Sequence, residues 1–434
     1  MSEVIVIGAD ANGLMAADVL SRAGHNVTSV QEQPPAARTM GWVPPQLGLT
    51  GVAISCPDPW LRAPLPEGGV LELWRDIRRS ADAIRRVSTR DAEAWPRFCE
   101  RMATLARLLE GLYLEPPPSL VDLRFAVRVR RLGRQSVEDL MRLLPMPVAE
   151  LLDDWFESEA LKGALGTLGV RHLLQGPRSA GTAFRLLHYH VGNPPGVFRV
   201  AASNLAQLLR ARVAPREGKV TRISVRGGEV KGVVLEGGQE LSASLVVSAA
   251  DPRRTLIDLV EPGWLDPDLS RALRHVRSRG VAAKVALTLE RAPDWQTLTL
   301  APSLDYVERA YDDAKYQRPS AQPWLDVVVD GKSAEVHVQY AKAGEDMSAA
   351  VTRLLAPYLS IADAKTVPLP QSWPDGQPHQ AELALDQALW MRPLPELAGY
   401  RTPIKGLWLG GQAMHPAVPG LAGYNCARRL LRSL

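Results

Sequence analysis

The first thirty residues constrain the fold more than any other part of the chain. Residues 3–7 form a short β-branched run, as a buried parallel strand requires. A glycine-bearing stretch follows at 8–13, an apolar helical face covers 14–20, and a second β-rich run covers 27–30. A strand, a glycine turn, a helix and a second strand in this order are the setting of a dinucleotide-binding fingerprint. We therefore predict an α/β fold with a Rossmann-like domain.

Two positions of this fingerprint depart from its usual pattern. The middle glycine, which lets the backbone approach phosphates closely, is replaced by Asp10, which adds bulk and a negative charge. The second strand ends at Gln31 instead of the acid that holds ribose hydroxyls, although Glu32 follows directly. Two interpretations are open: intact dinucleotide binding, or a βαβ unit that keeps the fold and has lost the nucleotide.

Composition excludes several classes of protein. The 434 residues are 46% apolar and 23% charged, which is ordinary for a globular chain of two or three domains. No run of about 18 uncharged apolar residues predicts a membrane span, and the acidic N-terminal start predicts no secretory signal. Three distant cysteines predict neither a disulfide framework nor a metal site. The net charge of +4 comes with no nucleic-acid motif, so we expect a cytoplasmic chain without a nucleic-acid partner.

A second strand–loop–helix unit lies at the C-terminus. Residues 407–409 are an apolar strand that ends in Gly410-Gly411, and 420–427 open a final amphipathic helix. The N–H groups at such a helix start attract an anion or an electron-rich ring edge. Taken alone, the pattern is equally typical of ordinary strand-to-helix packing.

An ordered series of longer motifs runs through nearly the whole chain. With these motifs the chain resembles the phytoene-desaturase-like FAD-dependent oxidoreductases, within the amine-oxidase-type flavoprotein superfamily. The motifs are Ser-Thr-Arg-Asp-Ala-Glu-Ala-Trp at 88–95, Trp-Phe-Glu-Ser-Glu at 155–159 with Gly-Thr-Ala at 181–183, Val-Val-Ser-Ala-Ala-Asp-Pro at 246–252, Arg-Pro-Leu-Pro at 392–395, and the stretches 400–416 and 418–427.

The resemblance implies a discontinuous dinucleotide (FAD/NAD(P))-binding domain. Its three parts are residues 1–70, 196–256 and 380–434. The inserted part is an α+β substrate domain with a helical cap, residues 76–195 and 257–379.

Local patterns agree with this organisation. Two β-rich runs around Gly227-Gly228 predict a hairpin. A second turn at 237–238 leads into 245–247, which predicts a three-stranded meander. Further strands are predicted at 281–289 and 325–329, and alternation at 336–340 predicts one more.

The resemblance also implies a cofactor-binding set, and several of its members depart from the family pattern. Arg38 lies where the family has a diglycine, Gln412 where it often has an acid, and Ala417-Val418 where it has a triple glycine. Either FAD binds and Arg38 neutralises Asp10, or the two residues pair inside a vacated pyrophosphate site. The predicted cofactor-binding residues are Gly8, Asp10, Asn12, Gly13, Gln31, Glu32, Arg38, Val220, Gly411, Gln412, Gly420, Leu421 and Ala422.

The function that the resemblance implies is an FAD-dependent desaturase or dehydrogenase. Its substrate is expected to be a lipophilic, isoprenoid or polyene small molecule, oxidised by hydride transfer to the flavin in a long apolar cavity. The alternatives are a flavin-free lipophile-binding protein and a non-redox isomerase or cyclase.

The remaining patterns leave the catalytic residues unassigned. No metal-ligand spacing occurs, so no metal is expected. The histidines at 172, 188, 190 and 415 are either structural or part of the substrate cavity. The basic amphipathic stretch 123–134 fits a peripheral membrane contact or an ordinary solvated face.

Overall fold

A computed structural model gives the structure of most of the chain. It describes residues 2–32, 39–117, 134–202, 204–342, 344–369 and 377–434. Arg38 and nearly all of the predicted membrane face at 123–134 lie outside these residues. Within the described ranges, no helix is both long enough and apolar enough to cross a membrane.

Within the described residues, the strands form two large sheets and three small ones. In chain order they are β1 Glu3–Ile7, β2 Asn26–Gln31, β3 Thr39–Met40, β4 Ile54–Ser55, β5 Leu61–Pro64, β6 Val70–Leu73, β7 Ala201–Ala202, β8 Arg216–Glu217, β9 Val220–Arg226, β10 Glu229–Leu235, β11 Glu240–Ser242, β12 Leu245–Ser248, β13 Ala282–Leu289, β14 Thr297–Leu300, β15 Leu325–Asp330, β16 Ser333–Gln339, β17 Ile361–Val367 and β18 Leu407–Leu409.

The helices begin, in several cases, at side chains that cap their first N–H groups. Asp10, Ser88 and Ser158 are such caps. In chain order the helices are α1 Ala11–Arg22, α2 Ile77–Arg85, α3 Thr89–Tyr113, α4 Arg134–Leu143, α5 Val148–Trp155, α6 Glu159–Val170, α7 Thr182–His190, α8 Leu205–Val213, α9 Pro267–His275, α10 Leu304–Lys315, α11 Ser348–Leu355 and α12 Leu421–Leu431.

The N-terminal unit folds as the sequence predicts. β1 lies at the centre of a parallel sheet with strand order β18-β12-β1-β2-β8. Gly8 turns the chain at a φ of +92°, and its N–H donates to the Val30 carbonyl at 2.8 Å. A Cβ at Gly13 would lie 2.0 Å from the Gly8 oxygen, so only glycine lets α1 pack this closely on the strand. The fold is therefore a Rossmann-like α/β fold.

One predicted strand belongs to a different sheet. The hairpin of β9 and β10 is present, but its third strand is β11, in the order β11-β10-β9. Residues 245–247 instead form β12, which pairs in parallel with β1 and β18. β12 is buried along its whole length, so its continuous apolar run suits the core of a parallel sheet rather than an edge hairpin.

The second large sheet is antiparallel, with strand order β14-β15-β16-β13-β17. It contains the strands predicted at 281–289, 325–329 and 336–340, of which the last ends at Gln339. The described part of 76–195 is mainly helical, from α2 to α7. The exact domain boundaries stay a prediction.

Candidate functional site

A cavity of about 1110 Å³ lies between the parallel sheet and the antiparallel sheet. One wall contains Gly8, Asp10 and Asn12, at the carboxyl end of β1, where dinucleotides bind in folds of this kind. The opposite wall comes from the antiparallel sheet and from the helices before it. The cavity therefore joins a nucleotide-type edge to a separate surface that can hold a second molecule.

At the start of α1, the Asp10 carboxylate takes the N–H groups that a phosphate would use. Asp10 Oδ1 accepts from the N–H of Asn12 at 3.1 Å and of Gly13 at 2.8 Å. Burial raises the pKa of this carboxyl to about 6, although both hydrogen bonds lower it. Its partners in the described chain are thus the amides of α1. The predicted pairing with Arg38 involves a residue outside the described ranges.

Asn12 and Gln412 connect the N-terminal and C-terminal parts of the chain at the wall that contains Gly8 and Asp10, which we call the cofactor-type wall. Asn12 Nδ2 donates to Gln412 Oε1, and Gln412 Nε2 donates to the Ala417 carbonyl, both at 2.7 Å. Both side chains line the cavity. The amide of Gln412 therefore does structural work that a carboxylate at this position could not do, because a carboxylate has no N–H to donate.

At the other end of the wall, Glu32 rather than Gln31 faces the cavity. Glu32 lines it and accepts from Arg254 Nη2 at 2.6 Å. Gln31 is buried outside the cavity wall, where its side-chain oxygen accepts from Arg210. Val220 lines the same end as Glu32. The acid that could bind a ribose is therefore Glu32, one residue later than the position that the sequence pattern predicts.

The glycine candidates beyond Gly8 and the residues at the start of α12 mainly pack the fold. The predicted residues that do not line the cavity are Gly13, Gly411, Gly420, Leu421 and Ala422. A Cβ at Gly411 would lie 2.4 Å from the Ala249 carbonyl oxygen. Leu421 and Ala422 are fully buried, while the loop just before them, residues 417–419, does reach the cavity. The start of α12 is therefore behind this loop.

On the substrate side, one buried carboxylate holds two arginines. Arg171 Nη1 donates to Asp326 Oδ2 at 2.8 Å, and Arg199 Nη1 donates to Asp326 Oδ1 at 2.5 Å. All three residues are buried and line the cavity. This group carries one more positive charge than negative charge. Sequence reasoning did not single it out, although an acid inside the apolar run 325–329 was a visible sign.

Four histidines line the same wall. The His172 ring contacts the rings of His337 and His379 edge-on, with centroids 4.7 and 5.9 Å away. His188 Nδ1 is 2.9 Å from the Tyr113 hydroxyl. Burial, followed by nearby arginines, lowers the pKa of all four well below the ordinary value, so the rings are neutral at pH 7. His190 and His415 lie outside the wall.

Two fully buried arginines lie behind this wall. Arg185 Nη2 donates to the Tyr189 hydroxyl at 2.9 Å and to the Arg171 carbonyl at 3.0 Å. Arg392 donates to five backbone carbonyls, including that of His379 at 2.8 Å. Burial, followed by the charge of Arg185, lowers the pKa of Arg392 to about 9. Within the described ranges, neither arginine forms an ion pair.

The parallel sheet, its glycine turn and the second sheet across a shared cavity define a two-part fold of the dinucleotide-binding type. Residues 46–427 match the family of flavin containing amine oxidoreductases, and the chain belongs to this family. Its members bind FAD, and membership supports FAD oxidoreductase chemistry. Pyridine nucleotide-disulfide oxidoreductase domain-containing protein 2 of Rattus norvegicus is 25% identical, over 100% of this chain and 94% of the relative.

Solved structures share the fold at low identity. Putrescine oxidase bound to putrescine has a TM-score of 0.60 at 13% identity, with 99% of each chain covered. A CLA-producing fatty acid isomerase from P. acnes has a TM-score of 0.58 at 12% identity, with 99% of this chain and 98% of that chain covered. These likenesses show the fold alone.

The cavity wall offers groups that FAD could contact, with a condition at the start of α1. Glu32 offers a carboxylate and Val220 an apolar contact in one part of the wall, and Gln412 offers an amide beside the 417–419 loop in another. A charged Asp10 would compete with the pyrophosphate for the same N–H groups. Because the pKa of Asp10 is raised to about 6, its carboxyl is neutral in mildly acidic solution, and the neutral form would donate a hydrogen bond to a phosphate instead of repelling it.

Proposed function

We propose that this chain is an FAD-dependent oxidoreductase of the phytoene-desaturase-like type, acting on a lipophilic small molecule. The observation that carries the proposal is the single cavity of about 1110 Å³ that joins the cofactor-type wall to the substrate sheet. This volume slightly exceeds the usual upper range of roughly 1,000 Å³ for small-molecule pockets. It therefore supports a site for two molecules lying end to end.

Named residues would hold the cofactor. Glu32 would accept from ribose hydroxyls, and the start of α1, with Asp10 neutral, would face the pyrophosphate. Gln412 would lie beside the flavin end. When bound, the flavin supplies a hydride acceptor, which no side chain can replace.

The substrate side of the cavity would position the second molecule and exclude water. Small and apolar side chains, among them Ala282, Ala283 and Val328, form much of its surface. His188 lines this side of the cavity, and its neutral ring can position a substrate by hydrogen bonding, although its lowered pKa makes it a weak base. Its Nδ1 is engaged by the Tyr113 hydroxyl, so Nε2 is the nitrogen left to face a substrate.

One observation favours a second function, a flavin-free lipophile-binding protein. The Asp10 carboxylate already satisfies two of the N–H groups that a pyrophosphate would need. A chain that permanently keeps this cap would retain the substrate side of the cavity without the cofactor. This function predicts ligand binding with no dependence on FAD.

The flavin spectrum of the purified protein separates the two functions. The protein should be titrated with FAD at pH 5.5 and pH 8, followed by the visible flavin band of the protein fraction after gel filtration. A retained flavin that lipophilic compounds bleach under anaerobic conditions supports the oxidoreductase. A chain that stays colourless at both pH values contradicts it and leaves the binding protein.

A further inference from the structure

The substrate side of the cavity is rich in buried cationic side chains. Asp326 is shared by two arginine partners, Arg171 and Arg199. Lys284 is compensated by Glu335 at 2.8 Å. The histidines of the wall add no charge, because burial keeps them neutral. The Asp326 group therefore places a single carboxylate between two guanidinium groups.

Arg185 is a further buried cation directly behind the wall. Its side chain is 0% exposed, and it forms no ion pair with the residues that the structure describes. It reaches the cavity surface through the Tyr189 hydroxyl. Burying a cation without an anion is costly, so a partner with negative charge is expected nearby.

Unpartnered donors in the same wall point to a hydrogen-bond acceptor. Arg185 Nε and Nη1, Arg171 Nε and His172 Nδ1 have no partner among the described residues, and neither ring nitrogen of His379 has one. Buried polar atoms are normally satisfied, and a group of them beside one cavity is unusual. An oxyanion would accept from such donors and balance their charge together.

We infer that the substrate side of this cavity binds the carboxylate head of a lipophilic acid, and that it rejects amines. The inference rests on the proposed function, since it assigns the head group of the proposed lipophilic substrate. Arg171 and the His172–His379 pair would bind the head, with Arg185 supporting the charge from behind. The apolar part of the wall would hold the chain. An ammonium head would meet the like charge of Arg171 and Arg185.

Three ligands with the same chain and different heads test this inference. Dodecanoate, dodecanol and dodecylamine should be titrated into the full-length protein below their micelle concentrations, by calorimetry at pH 8. We expect dodecanoate to bind at least about tenfold more tightly than dodecanol, as one charge-assisted pair provides. We expect dodecylamine to bind more weakly than dodecanol.

Two variants test whether this wall causes the preference for dodecanoate. Arg171→Gln leaves Arg199 paired with Asp326 and should bring dodecanoate to within about threefold of dodecanol. The control Arg309→Gln removes the same charge from an 81% exposed side chain on α10 and should change neither affinity. Thermal unfolding of each variant checks that it folds, and the comparison of heads on the unmodified protein stands without any variant.

Each outcome decides between defined alternatives. Equal binding of the three ligands, or tightest binding of dodecylamine, would overturn the carboxylate site while leaving a lipophilic cavity in place. A preference for dodecanoate that survives in Arg171→Gln would overturn the assignment to this wall. Binding of none of the three would instead contradict the proposed lipophilic substrate, and so the proposed function itself.

Discussion

Asp10→Gly should convert the centre of the cofactor-type wall into an open phosphate site. The change frees the N–H groups of Asn12 and Gly13, which now donate to the carboxylate at 3.1 and 2.8 Å. Two charge-assisted hydrogen bonds of about 1.5 kcal/mol each would add about 3 kcal/mol to FAD binding. That corresponds to roughly a hundredfold lower Kd. The fold should tolerate the change, because replacing an N-cap Asp with Gly costs only a few tenths of a kcal/mol.

FAD fluorescence quenching, titrated at pH 8 against both proteins, measures this effect directly. Asp10→Asn is the matched control, since an amide oxygen can keep the cap while the charge is lost. Its affinity should lie between those of the wild type and Asp10→Gly. If the wild type binds FAD as tightly as Asp10→Gly, the carboxylate is not a competitor and the argument from the cap is wrong.

Three further predictions follow from the same geometry. Because burial raises the Asp10 pKa from 3.8 to about 6, the folded state holds this proton more tightly than the unfolded chain, and the resulting stability is lost as pH rises through 6. Urea unfolding should therefore show Asp10→Asn more stable than wild type above pH 6 and equal to it below about pH 4; a difference independent of pH would contradict this. Gly423→Ala places a Cβ 1.9 Å from a carbonyl oxygen of α1 and should lower stability by about 3 kcal/mol, whereas Gly111→Ala, with open space around it, should not; equal melting temperatures would refute the close packing. Asp326→Asn uncouples two buried arginines and should cost about 3–5 kcal/mol, while the exposed Asp305→Asn should change thermal stability little.

The nucleotide-type half of the fold was predictable because its pattern is local. A buried strand, a glycine at positive φ and an apolar helix face follow each other within the first 22 residues. Each step constrains the next through backbone geometry alone. The same logic failed at 245–247, where a turn suggested the next strand of a hairpin. Whether that strand joins the hairpin or the parallel sheet depends on the distant β18, which no local pattern encodes.

The cofactor-type wall was predictable as a set but not residue by residue. Asp10 and Asn12 do line the cavity, as do Glu32 and Gln412, whereas Gln31 points to Arg210. A shift of one residue reverses the direction of a side chain at the end of a strand, and sequence alignment does not resolve such a shift. The cap that Asp10 forms could have been anticipated, since Asp is a preferred N-cap residue.

The substrate wall could not be predicted, because its residues come from distant parts of the chain. Arg171 follows α6, Asp326 lies on β15, and His379 precedes the C-terminal part of the parallel sheet. The sequence suggested a long apolar cavity, yet this wall contains arginines and neutral histidines. Isolated charged residues in apolar segments, such as Asp326 within β15 and Arg185 within α7, are signs of this wall, and they can be interpreted only once the fold brings them together.

The two walls of the cavity would differ in how well they bind anions. This difference would set the order in which the two ligands bind. On our proposals, Asp10 would weaken the binding of a pyrophosphate at one wall, whereas Arg171 and Arg185 would favour an acid at the other. A lipophilic acid could therefore bind before the cofactor and stabilise the fold by mass action in its absence. FAD binding would then need protonation of Asp10, which the low-dielectric surroundings of a filled cavity would promote, because desolvation favours the neutral carboxyl. On this argument the acid is the first ligand and FAD the second, so the apparent FAD affinity should rise when dodecanoate is present.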